Sequence, residues 1–218
     1  MKKILIAVIS LTVSLSAYAQ SNFAIGAGAV TRQISEPFLG LETDNYFHTG
    51  FSIDAMYGYD FTNHFGINTG LRYIYLFQSD RSSALGAEKV DTEKDSFLDL
   101  PVHLKYTFNP SGFCKFFLTA GPTAELWTSY STTFSIKYIT EKPSKDSYTT
   151  NHFKDGPEGL FNKFNVSAGA TLGLEIADAV RVSLAYDYYF LDMLKNTWGI
   201  QTSRMSKHQL RLGVAYVF

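Results

Sequence analysis

The stretch Ser206-Lys207-His208-Gln209-Leu210-Arg211-Leu212-Gly213-Val214-Ala215-Tyr216-Val217-Phe218 decides the fold. Leu210, Leu212, Val214, Tyr216 and Phe218 share one face, and Gln209, Arg211, Gly213, Ala215 and Val217 share the other. A period of two marks a β-strand, because successive side chains of a strand point to opposite faces. In a water-soluble barrel the large apolar face would turn inward. Here the opposite face is small or polar with an arginine at its centre. That pattern fits a wall with hydrocarbon outside and a polar interior.

Seven further segments obey the same rule: about 22–31, 51–61, 65–78, 96–108, a stretch from about 113, 164–176 and 180–191. In the second, Phe51, Ile53, Ala55, Tyr57, Tyr59 and Phe61 oppose Ser52, Asp54, Met56, Gly58 and Asp60. In the fourth, Leu98, Leu100, Val102, Leu104, Tyr106 and Phe108 oppose Asp99, His103 and Lys105. Thr62-Asn63-His64, Asn109-Pro110-Ser111-Gly112 and Ala177-Asp178-Ala179 read as tight turns. The other connections, about 32–50, 79–95, 128–163 and 192–205, read as long loops. Short and long alternate, as periplasmic turns and surface loops do in outer-membrane barrels. The predicted fold is all-β: an eight-stranded antiparallel up-and-down transmembrane β-barrel, with both termini in the periplasm.

The turns also predict a register. If Phe61 pairs with Phe65, Asp54 falls opposite Arg72, both facing inward. If Ile176 pairs with Val180, Glu175 falls opposite Arg181. Asp54, Arg72, Glu175 and Arg181 are therefore expected as structural ion pairs of the barrel interior. An eight-stranded barrel is just wide enough for its side chains to fill it, so no continuous channel is expected. Pro101 and Pro122 cannot donate to a ladder, and a gap or bulge is expected where they meet.

At the N-terminus, Lys2 and Lys3 precede the apolar run Ile4 to Leu15 and the small-x-small triplet Ala17-Tyr18-Ala19. This reads as a cleaved secretory signal peptide over residues 1–19, leaving 20–218 as one barrel domain. No later stretch has the roughly 18 apolar residues of a spanning helix. Aromatic content of 16%, carried by 14 Tyr and 18 Phe, suits the aromatic girdles of a membrane barrel. A formal charge of −1 gives no bulk field for nucleic acid, and none is expected as a partner. The single cysteine, Cys114, excludes an internal disulfide and reads as a small apolar filler beside Phe116 and Leu118.

Leu98-Asp99-Leu100-Pro101-Val102-His103-Leu104-Lys105-Tyr106, Phe117-Leu118-Thr119-Ala120-Gly121-Pro122 and Ser167-Ala168-Gly169-Ala170-Thr171-Leu172-Gly173-Leu174-Glu175, together with the closing Leu210 to Phe218, resemble the PorT-like group of porin-family outer-membrane β-barrel proteins. The resemblance spans the mature chain, though the long loops carry no motif of the group. It implies an outer-membrane location, export through the signal peptide, and a barrel-insertion machinery that reads Tyr216 and the terminal Phe218. It brings no catalytic residues.

The chain has no P-loop, GxSxG, HExxH or paired-cysteine motif, and no catalytic, cofactor or metal residues are expected. The histidines at 48, 64, 103, 152 and 208 are scattered. His48 and His152 read as loop residues, His64 as a turn residue, and His103 as a hydrogen-bonded interior residue. A lipid-modifying enzyme would draw on His48, Ser79 or Ser129, and Asp80 or Asp192, but the spacing singles out none of them. Asp91, Glu93 and Asp95 hint at calcium without completing a calcium loop. In 128–163 the segment Thr132 to Ile139 could carry the strands above the membrane, and the loop's charges look mixed, with no surface of one sign. The expected role is a non-catalytic, monomeric barrel acting through surface loops, an unknown loop or periplasmic partner, or membrane integrity. A small-solute or ion channel is the alternative, and a lipid-modifying enzyme comes third. Outer-membrane lipid is the expected surrounding, and no cofactor is expected.

Overall fold

The computed structural model describes residues 20–37, 43–84, 87–138, 145–152, 162–191 and 206–218. Among the described residues, nine antiparallel strands form one sheet: β1 (Gln20–Pro37), β2 (Thr43–Asp60), β3 (Phe65–Ala84), β4 (Ala87–Thr107), β5 (Cys114–Tyr138), β6 (Lys145–Asn151), β7 (Phe164–Ile176), β8 (Val180–Tyr189) and β9 (Ser206–Val217). Eight of them close a ring, β1-β2-β3-β4-β5-β7-β8-β9 and back to β1. The ninth, β6, pairs only with the far end of β5, Ser131 to Lys137. The stretch 1–19, read from the sequence as a signal peptide, and the connection 192–205 lie outside the described residues.

The path of paired residues shows how the ring closes. It runs Glu125, Asp99, Arg72, Asp54, Gly26, Ala215, Arg181, Glu175, Lys115. It starts and ends on β5, ten residues apart. That stagger is the shear of the barrel, and it forces the strands to tilt by roughly 35–45° to the axis. Seven of the nine positions on this path are charged, so one turn of the spiral carries much of the interior charge.

The inside-out reading holds along every strand of the ring. Phe23, Ile25, Phe51, Ile53, Leu71, Leu100, Leu104, Phe116, Leu172, Leu184, Leu212 and Val214 are exposed on the outer wall. Arg32, Asp54, Arg72, Asp99, Glu125, Lys207 and Arg211 are buried inside it. The apolar band ends at aromatic residues. Near the tight turns Phe23 meets Phe218, Phe65 meets Tyr106, and Tyr106 meets Phe108, with ring centres 6.2, 5.0 and 5.0 Å apart. Near the other end Phe51 meets Tyr75 at 5.6 Å and Tyr188 meets Phe190 at 5.4 Å. Such belts suit the two interfaces of a bilayer.

The long connections need correction. Residues 32–37, 43–50, 79–84, 87–95 and 145–151 are strand, not loop, while β5 runs on through Thr132 to Tyr138, as the sequence allowed. What stops near Leu98 and Leu126 is the supply of large outward apolar residues. The alternation itself continues through serine, threonine and charged residues. Strands β3 to β6 therefore rise as a four-stranded sheet beyond the apolar band.

Both prolines interrupt the ladder. Pro101 opposes Thr123, and the β4–β5 pairing then skips to Leu104 opposite Ala120. The β3–β4 pairing skips from Thr69 opposite Val102 to Arg72 opposite Asp99. The one register shift between β4 and β5 lies higher, between Ser96 and Phe97.

In the tight turn after β7, Ala177 and Asp178 sit at φ 52° and 56°. A non-glycine residue in the left-handed region costs roughly 1–2 kcal/mol. Ala177→Gly is accordingly expected to stabilise the barrel by about 1 kcal/mol, since the relief exceeds the entropy glycine adds to the unfolded chain. Urea unfolding in lipid vesicles checks this.

Candidate functional site

The lumen is filled in three levels. At the level where the apolar band ends, Arg32 on β1 reaches Glu125 on β5. These strands are four steps apart in either direction round the ring, so this contact spans the full diameter. Arg32 Nη2 donates to Glu125 Oε2 at 2.5 Å. Lys207 Nζ, from β9, donates to Glu125 Oε1 at 2.9 Å, and Trp127 Nε1 donates to the same oxygen at 2.9 Å. Arg32, Glu125 and Lys207 all have zero exposure.

Aromatic rings box the two cations. The Arg32 guanidinium lies 3.9 Å from the Phe97 ring centre and 4.9 Å from that of Tyr189. Lys207 Nζ lies 4.6 Å from Tyr189 and 5.0 Å from Trp127. Ring faces attract cations strongly once water is excluded. Gln209 Oε1 accepts from Arg32 Nε at 3.0 Å. Val30, Ile34, Ile74, Leu76, Phe97 and Trp127 pack as an apolar cluster on the same level.

The middle level holds the first expected pair. Asp54 stands opposite Arg72 in the ladder, and Arg72 Nε donates to Asp54 Oδ1 at 2.6 Å. Arg211 Nη1 lies 3.5 Å from Asp54 Oδ2, and Arg72 Nη1 lies 3.7 Å from Asp99 Oδ2. His103 is interior, with Nε2 3.1 Å from Thr123 Oγ1 and Nδ1 3.4 Å from Thr119 Oγ1. A cavity of about 60 Å³ among Asp54, Arg72, His103, Arg181 and Arg211 has room for ordered water.

The lowest level opens at the tight-turn end as a vestibule of about 580 Å³, lined by Asp60, Lys105, Lys115, Glu175, Asp178 and Phe117 among others. Here the second expected pair meets: Glu175 opposes Arg181, whose Nη2 donates to Glu175 Oε2 at 2.6 Å. Lys105 pairs with Asp60 at 2.9 Å, and Lys115 with Asp178. Phe117 forms the vestibule floor, its ring 5.1 Å from the Arg181 guanidinium. Gly173 makes space for that ring, because a Cβ there would lie 2.0 Å from Phe117 Cζ. Tyr216 and Phe218 stand exposed on the outer wall beside this rim, and the Phe218 amide donates to the Phe23 carbonyl at 2.7 Å.

His48 corrects its sequence reading. It lies in β2, not in a loop, and is buried inside the barrel mouth. Its Nδ1 is 2.8 Å from Asp95 Oδ2 and its Nε2 is 3.4 Å from Glu93 Oε2. Burial raises the Glu93 carboxyl above its ordinary value, with His48 pulling the other way. His152 follows β6 with Nε2 2.8 Å from Thr132 Oγ1, and His64 sits in its turn with Nδ1 2.7 Å from the Thr107 carbonyl.

The imagined enzyme constellation is not assembled. By strand parity Ser79 and Ser129 face out while His48 faces in, so the wall separates nucleophile from base. Asp192 lies outside the described residues. Asp91, Glu93 and Asp95 share the inward face of β4, yet no group of three metal-ligating residues gathers at one point among the described residues.

Of the charges that looked mixed in 128–163, Glu141, Lys142, Lys154, Asp155 and Glu158 lie outside the described residues, while those described on the raised sheet are sorted by the register. Arg81, Lys94 and Lys137 share its outward face with Glu88, amid Ser79, Ser83, Thr92, Ser131, Thr133 and Ser135. Asp80, Asp91, Glu93, Asp95 and Asp146 share the inward face with Lys89.

Residues 4–218 match the family model described as outer membrane protein beta-barrel domain. No curated protein matches. Solved structures of similar fold include Ail, the attachment invasion locus protein of Yersinia pestis, at 14% identity and TM-score 0.47, covering 91% of this chain and 99% of that one. OprG from Pseudomonas aeruginosa is 13% identical with TM-score 0.42, covering 92% and 97%. The outer membrane enzyme PagL is 13% identical with TM-score 0.38, covering 89% and 97%.

Proposed function

Since the chain belongs to the outer membrane protein β-barrel domain family, we propose that it serves in the outer membrane as a closed, non-conducting and non-catalytic barrel. Its working surface is the sheet raised beyond the apolar band. The observation that carries this reading is the Arg32–Glu125 contact of 2.5 Å across the full barrel diameter. A lumen bridged in that way, with Lys207, Phe97, Trp127 and Tyr189 packed around the bridge, supports a closed barrel. The separation of His48 from Ser79 and Ser129 supports the absence of catalysis.

In this reading the tight turns and the vestibule face the periplasm, and the raised sheet faces the cell surface. Outer-membrane lipid surrounds the wall of a monomer. Tyr216 and Phe218 address the insertion machinery. A partner of unknown identity meets the surface sheet, whose outward face is basic and hydroxyl-rich and whose inward face is acidic. The motifs around Leu98–Tyr106 and Ser167–Glu175 align the chain with the PorT-like group of the family.

A small-solute channel is the second reading, favoured by the vestibule of about 580 Å³ that already opens one end. Planar bilayers decide between the two. Purified full-length protein is expected to leave the membrane silent, and steady single-channel openings would establish the channel.

A further inference from the structure

On the outer wall, β2, β1, β9 and β8 enclose a trough of about 360 Å³ lined by Phe47, Thr31, Gln33, His208, Leu210 and Tyr186. Its shape follows from side-chain size. Thr31 is short, and its ladder partners are Leu210 on one side and Thr49 on the other. The larger Phe47, Tyr186 and Leu210 rise around it.

The polarity of the trough is graded. Below it, Leu212, Val214 and Tyr216 continue the exposed apolar face of β9. Above it, Gln33 Nε2 and Ser35 Oγ both donate to Asn45 Oδ1, at 3.1 and 2.7 Å. At the boundary, His208 Nδ1 meets the Tyr186 hydroxyl at 2.5 Å. Its Nε2 has no hydrogen-bond partner among the described residues, and His208 is only half-buried. An apolar floor running down the wall, topped by amide, hydroxyl and imidazole groups, matches an amphipathic molecule lying along the barrel.

We propose that this trough seats one lipid of the outer leaflet. An acyl chain lies along Leu210 and Leu212, and a headgroup oxygen is held by Thr31, Gln33 and His208. This rests on the outer wall facing lipid, and it is independent of whether the lumen conducts. Indole and hydroxyl groups at the bilayer boundary are common, but a concave seat concentrates one lipid where a convex wall only meets a changing crowd.

The test compares two outward positions of similar exposure, Leu212 below the trough and Leu100 on the far wall. A photo-crosslinking residue replaces each in turn in full-length protein. The protein is reconstituted in phosphatidylethanolamine vesicles with and without a phosphorylated glucosamine glycolipid. The expected result is at least about fivefold more lipid adduct at 212 than at 100, equivalent to about 1 kcal/mol of preference. The adduct mass tells phospholipid from glycolipid. Thr31→Trp, which fills the trough from an outward position, is expected to bring the 212 yield down to that at 100. Equal yields at the two positions in both vesicle types, or an excess that Thr31→Trp leaves intact, would overturn the proposal. The comparison of 212 with 100 stands even if Thr31→Trp does not fold.

Discussion

Glu125→Ala is expected to be the most damaging single change in the lumen, lowering barrel stability by about 3–5 kcal/mol. Glu125 is the acceptor for Arg32, Lys207 and Trp127 at once, at 2.5, 2.9 and 2.9 Å. Removing it leaves two fully buried cations, side by side on the neighbouring strands β1 and β9, without their acid. The nearest acid by register is Asp99, which already serves Arg72 at 3.7 Å. An unpaired buried charge costs far more than the pair contributes, because its desolvation is no longer offset. It follows that Glu125→Leu combined with Arg32→Met and Lys207→Met should recover most of the loss. Replacing a buried ion cluster by apolar residues of similar volume is often neutral or stabilising. Urea unfolding in lipid vesicles measures both, and the fluorescence of Trp127, bonded directly to Glu125, reports the site itself. A Glu125→Ala barrel within about 0.5 kcal/mol of the parent, the usual range for surface changes, would mean that water reaches these groups and that the lumen is not plugged.

How far this plug could be read from the sequence depends on distance along the chain. The Asp54–Arg72 and Glu175–Arg181 registers were legible because each follows from a tight turn a few residues away. Turn length fixes the pairing of a hairpin, and a slip by one residue would turn every side chain to the wrong face. Arg32 and Glu125 are 93 residues apart, and they meet only because of where the ring closes and how far it is sheared. Arg32 also sits where the large outward residues run out, so it read as loop.

The apolar residues of the plug were hidden for a different reason. Ile74, Leu76, Phe97, Trp127 and Tyr189 point inward, against the rule that large residues face out. A signal for them exists. Alternation lapses into continuous apolar runs at Tyr73-Ile74-Tyr75-Leu76-Phe77, Phe97-Leu98, Leu126-Trp127 and Tyr188-Tyr189-Phe190. Each run marks a point where the wall is apolar on both faces. The sorting of charge on the raised sheet was hidden because it needs the register, and 79–95 reads from the sequence as one long loop with no pairing. The charges along 79–95, with Lys137 and Asp146 of the third long connection, separate once odd positions of β4 are known to face inward.

The middle level of the lumen should behave as a coupled network, and its coupling should exceed that of the vestibule. Arg72→Ala is expected to cost about 2–4 kcal/mol, somewhat less than Glu125→Ala. The reason is that Asp54 keeps a second cation, Arg211, 3.5 Å away. Asp54→Ala together with Arg72→Ala should cost less than the sum of the two single changes, with a coupling of about 1–3 kcal/mol. The same cycle on Glu175 and Arg181 should give a smaller value, about 1 kcal/mol or below. Their side chains are 11% and 9% exposed against 8% and 3% for Asp54 and Arg72, and Glu175 lines the open vestibule, where water screens it. The two pairs have the same bond length, 2.6 Å, and both are direct ladder neighbours. The Glu175 pair even has a second contact, Arg181 Nε donating to Oε2 at 3.2 Å, so contact geometry favours it and only access of water makes its coupling the smaller. Additive effects at Asp54 and Arg72, or a larger coupling at Glu175 and Arg181, would show that water enters the barrel beyond the Phe117 floor and that the interior charges are solvated singly rather than locked together.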